Sequence, residues 1–148
     1  MSRLCPRPRR TAIAPVVYAA FVQLHYQDYE RYALARLGDG ALGAQVVEGV
    51  LQRAELEWPI MLAGDPAAFV WLTLREAVSA HSHLPGTEVD RLHRRLPAGA
   101  ADAVLLVGDL GMEPSEAAAL MGLEPSQLHV RREAALRLLS GPRPEGGA

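Results

Sequence analysis

The stretch GMEPSEAAALMGLEPSQLHVRREAALRLL, residues 111–139, decides the fold because it opens a helix twice in quick succession. Met-Glu-Pro-Ser-Glu at 112–116 returns as Leu-Glu-Pro-Ser-Gln at 123–127, each time ahead of a run with helical spacing. Pro suits the first turn of a helix, where its missing N–H would have no partner. A glutamate or its neighbour takes the cap position, and Glu116 or Gln127 follows three residues later, as in a capping box. Gly122 stands where the first helix must end in a left-handed turn. Short helix, glycine turn and longer helix make a helix-turn-helix. Ala117, Ala118 and Ala119 let the two helices approach closely. Leu120, Leu123, Leu128 and Ala135 form the expected seam, covered by Leu105, Leu106 and Leu110 from a helix over 98–109.

A DNA-binding helix-turn-helix offers the start of its second helix to the major groove. Those residues are Ser126, Gln127, His129, Val130, Arg131 and Arg132. Gln matches an adenine edge, Arg a guanine edge or a phosphate, and the helix start favours a phosphate. An ordinary helical hairpin with solvated arginines has the same spacing. Six acids face three arginines over 96–139, which weakens electrostatic DNA attraction, but over 126–139 three arginines outnumber one glutamate.

Upstream, the pattern is also helical, with neither a period-two run nor a hairpin turn signal. Tyr18, Val22, Tyr26, Tyr29, Ala33 and Leu37, with Phe21 beside them, define a helix over 15–37 that begins near Pro15 and stops at Gly38-Asp39-Gly40. A second helix fits 41–57, with Leu42, Val46, Val47, Val50, Leu51 and Ala54 inward. Residues 58–66 read as a loop, and Asp65 caps a third helix over 66–80 that opens with Pro66. The Pro- and Gly-bearing stretch 81–100 reads as connecting chain with one helical turn around 87–95.

The chain of 148 residues is 49% hydrophobic and 22% charged, with a net charge of −2, the balance of a globular domain with no overall nucleic-acid signature. Its basic residues are all arginine, which matches an Ala- and Gly-rich composition rather than selection for phosphate contacts. No apolar run reaches the roughly 18 residues of a membrane span. The first eleven residues read as a disordered Arg/Pro tail rather than a signal peptide, and 141–148 as a second tail. Cys5 is the one cysteine, so no internal disulfide forms and a reducing cytoplasm fits.

His81, His83 and His93 lack a fourth ligand and the tight spacing of a zinc site, so they read as solvated connecting residues that make the neighbourhood of Arg91, Arg94 and Arg95 more basic at low pH. Glu48, Glu55 and Glu57 have no His or Ser partners in pattern, and no nucleophile elbow, phosphate loop or metal motif is present. No enzyme activity and no cofactor are expected. Trp58, Trp71 and the tyrosine stripe read as core.

Residues 96–139 resemble region four of the small, two-domain extracytoplasmic-function sigma factors of bacterial RNA polymerase. Leu96-Pro97, Gly111, Glu116-Ala117-Ala118, Met121-Gly122 and Arg131 fall at the family's Leu-Pro, Gly, Glu-Ile-Ala, Leu-Gly and Arg positions without a gap. Residues 21–54 resemble region two, and DPAAFVWLTLREAV at 65–78 is similar to the family's Trp-Leu helix. The resemblance implies an all-α protein of two helical modules, 12–84 and 96–140, joined by a linker at 85–95. It implies binding to RNA polymerase core and to promoter DNA, with an anti-sigma protein as a further partner. Region two would grip the polymerase clamp and help open the minus-10 element; region four would read the minus-35 groove. On the matching positions Gln45, Glu48 and Arg53 become the polymerase-facing candidates, Trp71 and Arg75 join the DNA-facing ones, and Arg131 leads the recognition helix. Gln45 and Glu48 replace the family's Asp and Gln, while Gln127, His129 and Val130 replace its Thr, Lys and Ser. Two further readings therefore stand beside an initiating sigma factor: a degenerate sigma-like regulator, and a helix-turn-helix regulator in which 12–80 is a dimerisation or sensor bundle.

Overall fold

A computed structural model describes residues 10–81 and 88–141, with side chains from 15 to 81 and from 89 to 141. Among these residues the chain is all-helical. The order is α1 (Arg10–Leu37), α2 (Gly40–Met61), α3 (Pro66–His81), α4 (Glu88–Arg95), α5 (Ala98–Val104), a π-helical segment Leu105–Asp109 that continues α5, α6 (Pro114–Met121) and α7 (Pro125–Leu139). Residues 1–9 and 142–148 of the expected tails, and 85–87 of the expected linker, lie outside the described residues; Arg10 and Thr11 are already in α1.

Each boundary has a local cause. Gly38 takes φ +68° to end α1, and the Asp39 carboxylate caps α2 by accepting from the N–H groups of Ala41 and Leu42 at 2.9 and 3.1 Å. Asp65 caps α3 in the same way, accepting from Ala68 N–H at 3.2 Å. Sequence spacing ends α2 at 57, whereas the helix runs on through Trp58 and Pro59 to Met61. Pro59 forfeits a helical hydrogen bond. Trp58 and Met61, 2% and 5% exposed, are buried only if the helix continues, and that burial outweighs the loss. The apolar stripe of α1 predicts a start near Pro15, but the helix begins five residues earlier and holds Pro15 inside it. The span expected to carry one turn holds the eight-residue helix α4.

The expected seam of the helix-turn-helix forms. Leu105, Leu106, Leu120 and Leu128 are at most 1% exposed, and Leu110 and Leu123 pack partly buried against them, whereas Ala135, also buried, packs instead with Leu96, Ala100 and Ala101 in a second, smaller cluster. The seam does not stand alone. Tyr29, Tyr32, Val47, Trp71 and Leu74 from α1–α3 belong to the same continuous core as Leu105, Leu106, Met112, Leu120 and Leu128. The first three helices and the last three thus share one hydrophobic interior, with α3 packed on α6. No helix among the described residues is long and apolar enough to cross a membrane.

Candidate nucleic-acid interface

The two helix starts of the 111–139 stretch differ. Glu113 and Glu124 both occupy N-cap positions ahead of Pro114 and Pro125. Only the second is boxed: Gln127 Oε1 accepts the Glu124 N–H at 3.0 Å, and the Glu124 side chain accepts in return from the backbone N–H of Gln127. Between them Gly122 sits at φ +69°, and its N–H and that of Leu123 bond the Ala119 and Ala118 carbonyls at 3.3 and 2.8 Å, closing α6 with a Schellman turn. Sequence spacing therefore yields the turn as built.

α7 keeps its opening face clear. Ser126, Gln127, His129, Val130 and Arg131 are exposed and Arg132 is partly exposed, while Leu128 points into the core. Ser126, Gln127, Val130 and Arg131 line a shallow depression of about 300 Å³. Two details modify the expected reading surface. Gln127 spends its oxygen on its own helix start, leaving the amide NH2 to meet a base. Arg131 lies back over Gly99 at the start of α5, where any Cβ would collide with its guanidinium. The absent side chain of Gly99 is what gives Arg131 this resting place.

The candidates on α2 divide between two faces. Gln45 and Arg53 line an open groove of about 480 Å³ between α2 and α3, together with Thr73, Glu76 and His81. Arg53 also pairs with Glu57 at 3.6 Å on the helix surface, an exposed contact of small energetic consequence. Glu48 turns toward α1. There the hydroxyl of Tyr26 is pushed above its usual range, first by its hydrogen bond to Glu30 and then by burial and the charges of Glu30 and Glu48.

Trp71 and Arg75 are placed elsewhere than a DNA-facing surface. Trp71 is 2% exposed, its ring 4.4 Å from Tyr32 and 6.4 Å from Tyr29 between centroids. It sits in the core because α3 is packed between α1, α2 and α6, so it has no face to offer a base in this arrangement. Arg75 turns inward, its Nε donating to Asp102 Oδ2 at 2.7 Å.

Asp102 is the centre that the sequence reading missed. It lies on α5, is 0% exposed, and joins four helices. Tyr32 from α1 donates its hydroxyl to Oδ1 at 2.8 Å, Arg36 from α1 stands 3.8 Å from the same oxygen, Arg75 comes from α3, and His93 from α4 meets Oδ1 through Nε2 at 2.8 Å. Nδ1 of His93 faces the Val89 carbonyl at 2.8 Å, so both acceptors are satisfied together only when both ring nitrogens carry hydrogen. Burial alone would push the Asp102 carboxyl up. The His93 hydrogen bond, the Arg75 and His93 charges and the Tyr32 hydrogen bond together outweigh it and hold the group below the usual carboxylate range. Burial and then the Asp102 charge drive the Tyr32 hydroxyl far up, against the opposing pull of Arg36. One further bond crosses between the halves: Arg31 Nη2 donates to the Leu110 carbonyl at 2.5 Å. The available signal was Asp102 itself, a lone acid in the apolar run AGAADAVLL.

Comparison of the chain with protein-family models, with curated proteins and with solved structures gives no match in any of the three.

Proposed function

We propose that this protein is a sigma-factor-like transcription protein that binds promoter DNA through the start of α7 and RNA polymerase core through the exposed face of α2. The observation that carries the proposal is the boxed, solvent-facing start of α7 behind a Gly122 turn, which presents Ser126, His129, Val130 and Arg131 on one rigid helix. The position of Gln45 and Arg53 in the α2–α3 groove supports the polymerase contact. Such a protein works in the cytoplasm, with an anti-sigma protein as a further partner. Reading of the minus-10 element by Trp71 and Arg75 requires α5–α7 to lift away from α3.

The inward placement of Trp71 and Arg75 favours a second reading, a degenerate sigma-like regulator that holds polymerase or another protein without directing initiation. Capture of core polymerase by the purified chain separates a polymerase-binding protein of either kind from a plain helix-turn-helix regulator, which binds DNA but leaves polymerase uncaptured. Run-off transcription with reconstituted holoenzyme then separates an initiating factor from a degenerate one. Arg131→Ala should weaken DNA binding by about 1–3 kcal/mol if its guanidinium leaves Gly99 to read a base. Unchanged affinity in a fully folded variant removes Arg131 from the interface.

A further inference from the structure

A groove opens between α1 and α2 at the end of the hairpin away from the Gly38–Asp39 turn. Tyr18, Ala19, Val22, Trp58 and Pro59 give it an apolar wall, and its volume of about 630 Å³ is that of a small-molecule site. The wall is already fixed. Tyr18 donates its hydroxyl to the Leu51 carbonyl at 2.8 Å, and its ring stands edge-on to Trp58, 5.3 Å between centroids at 73°. Phe21 braces the buried Trp58 ring at 5.1 Å. Glu55 is the only charged residue that lines the groove. Burial and then the Glu55 charge raise the Tyr18 hydroxyl above its usual range, which sets the carboxylate beside the aromatic wall. The nearest arginine along the chain, Arg53, pairs with Glu57 instead, and among the described residues no cation meets Glu55. Pro59, four positions on within α2, has no N–H to give the Glu55 carbonyl, so a second oxygen of the same residue lacks its usual helical donor.

We propose that this groove binds a small organic cation, an ammonium group on an apolar body, with the ammonium at Glu55 and the body against Tyr18, Val22 and Trp58. An ammonium supplies the charge that Glu55 lacks, and its several N–H donors can meet the carboxylate and the carbonyl together. The rings beside it add cation–π attraction. A neutral molecule leaves the carboxylate unanswered, and an anion is repelled by it. The site shares no residue with the start of α7 or with the α2–α3 groove, so it stands whether or not those surfaces bind DNA and polymerase.

Calorimetric titration of the full-length chain with phenylbutylammonium, phenylbutanol and phenylbutyrate tests it, since the probes share one apolar body and differ in charge. The amine should bind roughly tenfold tighter than the alcohol, as an ion pair and a ring contact together supply, and the acid should bind most weakly. Added salt should weaken the amine alone. Amide NMR shifts on adding the amine should cluster at 15–23 and 55–59. Glu55 and Ala19 are both exposed, so variants at either position keep the fold. Glu55→Gln should bring the amine down to near the alcohol and leave the alcohol unchanged. Ala19→Phe fills the groove and should remove binding of both. Equal binding of amine and alcohol overturns the proposal, as does amine binding that survives Ala19→Phe or is unchanged by Glu55→Gln. Binding of none of the probes overturns it too; if the chain then sediments as a dimer that Ala19→Phe dissociates, the occupant of the groove is a second copy.

Discussion

Replacing Asp102 by Asn keeps the side chain's shape and removes its charge, so its effect on stability isolates the electrostatics of the junction. The carboxylate is 0% exposed and takes hydrogen bonds from Tyr32, Arg75 and His93. An amide has one acceptor oxygen where the carboxylate has two: with its NH2 toward Arg75 it meets a group that can only donate, and with its NH2 toward Tyr32 and His93 it forces both to give up donating to Oδ1. The two guanidinium groups also lose their counter-charge, with the Arg36 side chain only 7% exposed. Breaking a buried pair of this kind costs about 3–5 kcal/mol, a large part of the ~5–15 kcal/mol that stabilises a domain. For a chain of this size that corresponds to a fall in Tm of about 10–15 °C. Urea denaturation followed by circular dichroism should show a lower midpoint with an unchanged slope. The pH dependence supplies the sign. The folded state holds this carboxyl below its unfolded value, so the unfolded chain binds the proton first on acidification. The contribution of Asp102 is therefore full at neutral pH and is lost as the pH falls through the folded value. The deficit of Asp102→Asn should be largest near neutrality and narrow below about pH 4. A deficit under about 1 kcal/mol, or one that does not change with acid, refutes the reasoning.

Two further substitutions probe the turn and the cap. Gly111 and Gly122 both hold positive φ, +65° and +69°, but a Cβ at 111 meets nothing within 4 Å, whereas one at 122 falls within 2.6 Å of Ala68 Cβ on α3. Gly111→Ala should cost about 1–2 kcal/mol from backbone strain alone, and Gly122→Ala clearly more; equal melting temperatures for the two would mean that the turn does not press on α3. Gln127→Ala removes half of the capping box and should lower stability by about 0.5–1 kcal/mol in thermal melts. An unchanged Tm would show that the Gln127 oxygen is not engaged by the Glu124 N–H.

The parts of this fold that were legible in sequence are those set by neighbours along the chain. Gly38 and Gly122 as stops, Asp65 as a cap, and Pro125 with Gln127 as a helix start all act within four residues, and each forms as read. The leucine seam was legible because Leu120 and Leu128 flank the turn, one on each helix; Ala135, two turns beyond Leu128, keeps the buried side of α7 but meets Leu96, Ala100 and Ala101 instead. Trp58 and Pro59 were misread as loop because proline is a local signal, while the burial that overrides it comes from packing against α1. Asp102 was invisible for a related reason. Its partners lie up to 70 positions away, and no short-range pattern records which arginine will meet which acid. The α7 candidates were found as a set, but the retraction of Arg131 over Gly99 depends on how α5 lies against α7, which spacing does not encode.

The long reach of the Asp102 contacts also bears on the order in which the chain folds. The α1–α2 hairpin is joined by a two-residue turn, so its pairing closes early at small entropic cost. The Tyr32–Asp102 bond closes a loop of 70 positions and the Arg31–Leu110 bond one of 79, so both wait until α3 and α5 are in place. A contact made after the rate-limiting step acts on escape from the native state rather than on entry to it. The buried carboxylate is then a brake on unfolding: its loss should leave the refolding rate nearly unchanged and raise the unfolding rate by most of the equilibrium effect, which makes this junction the timer on how long the native state persists.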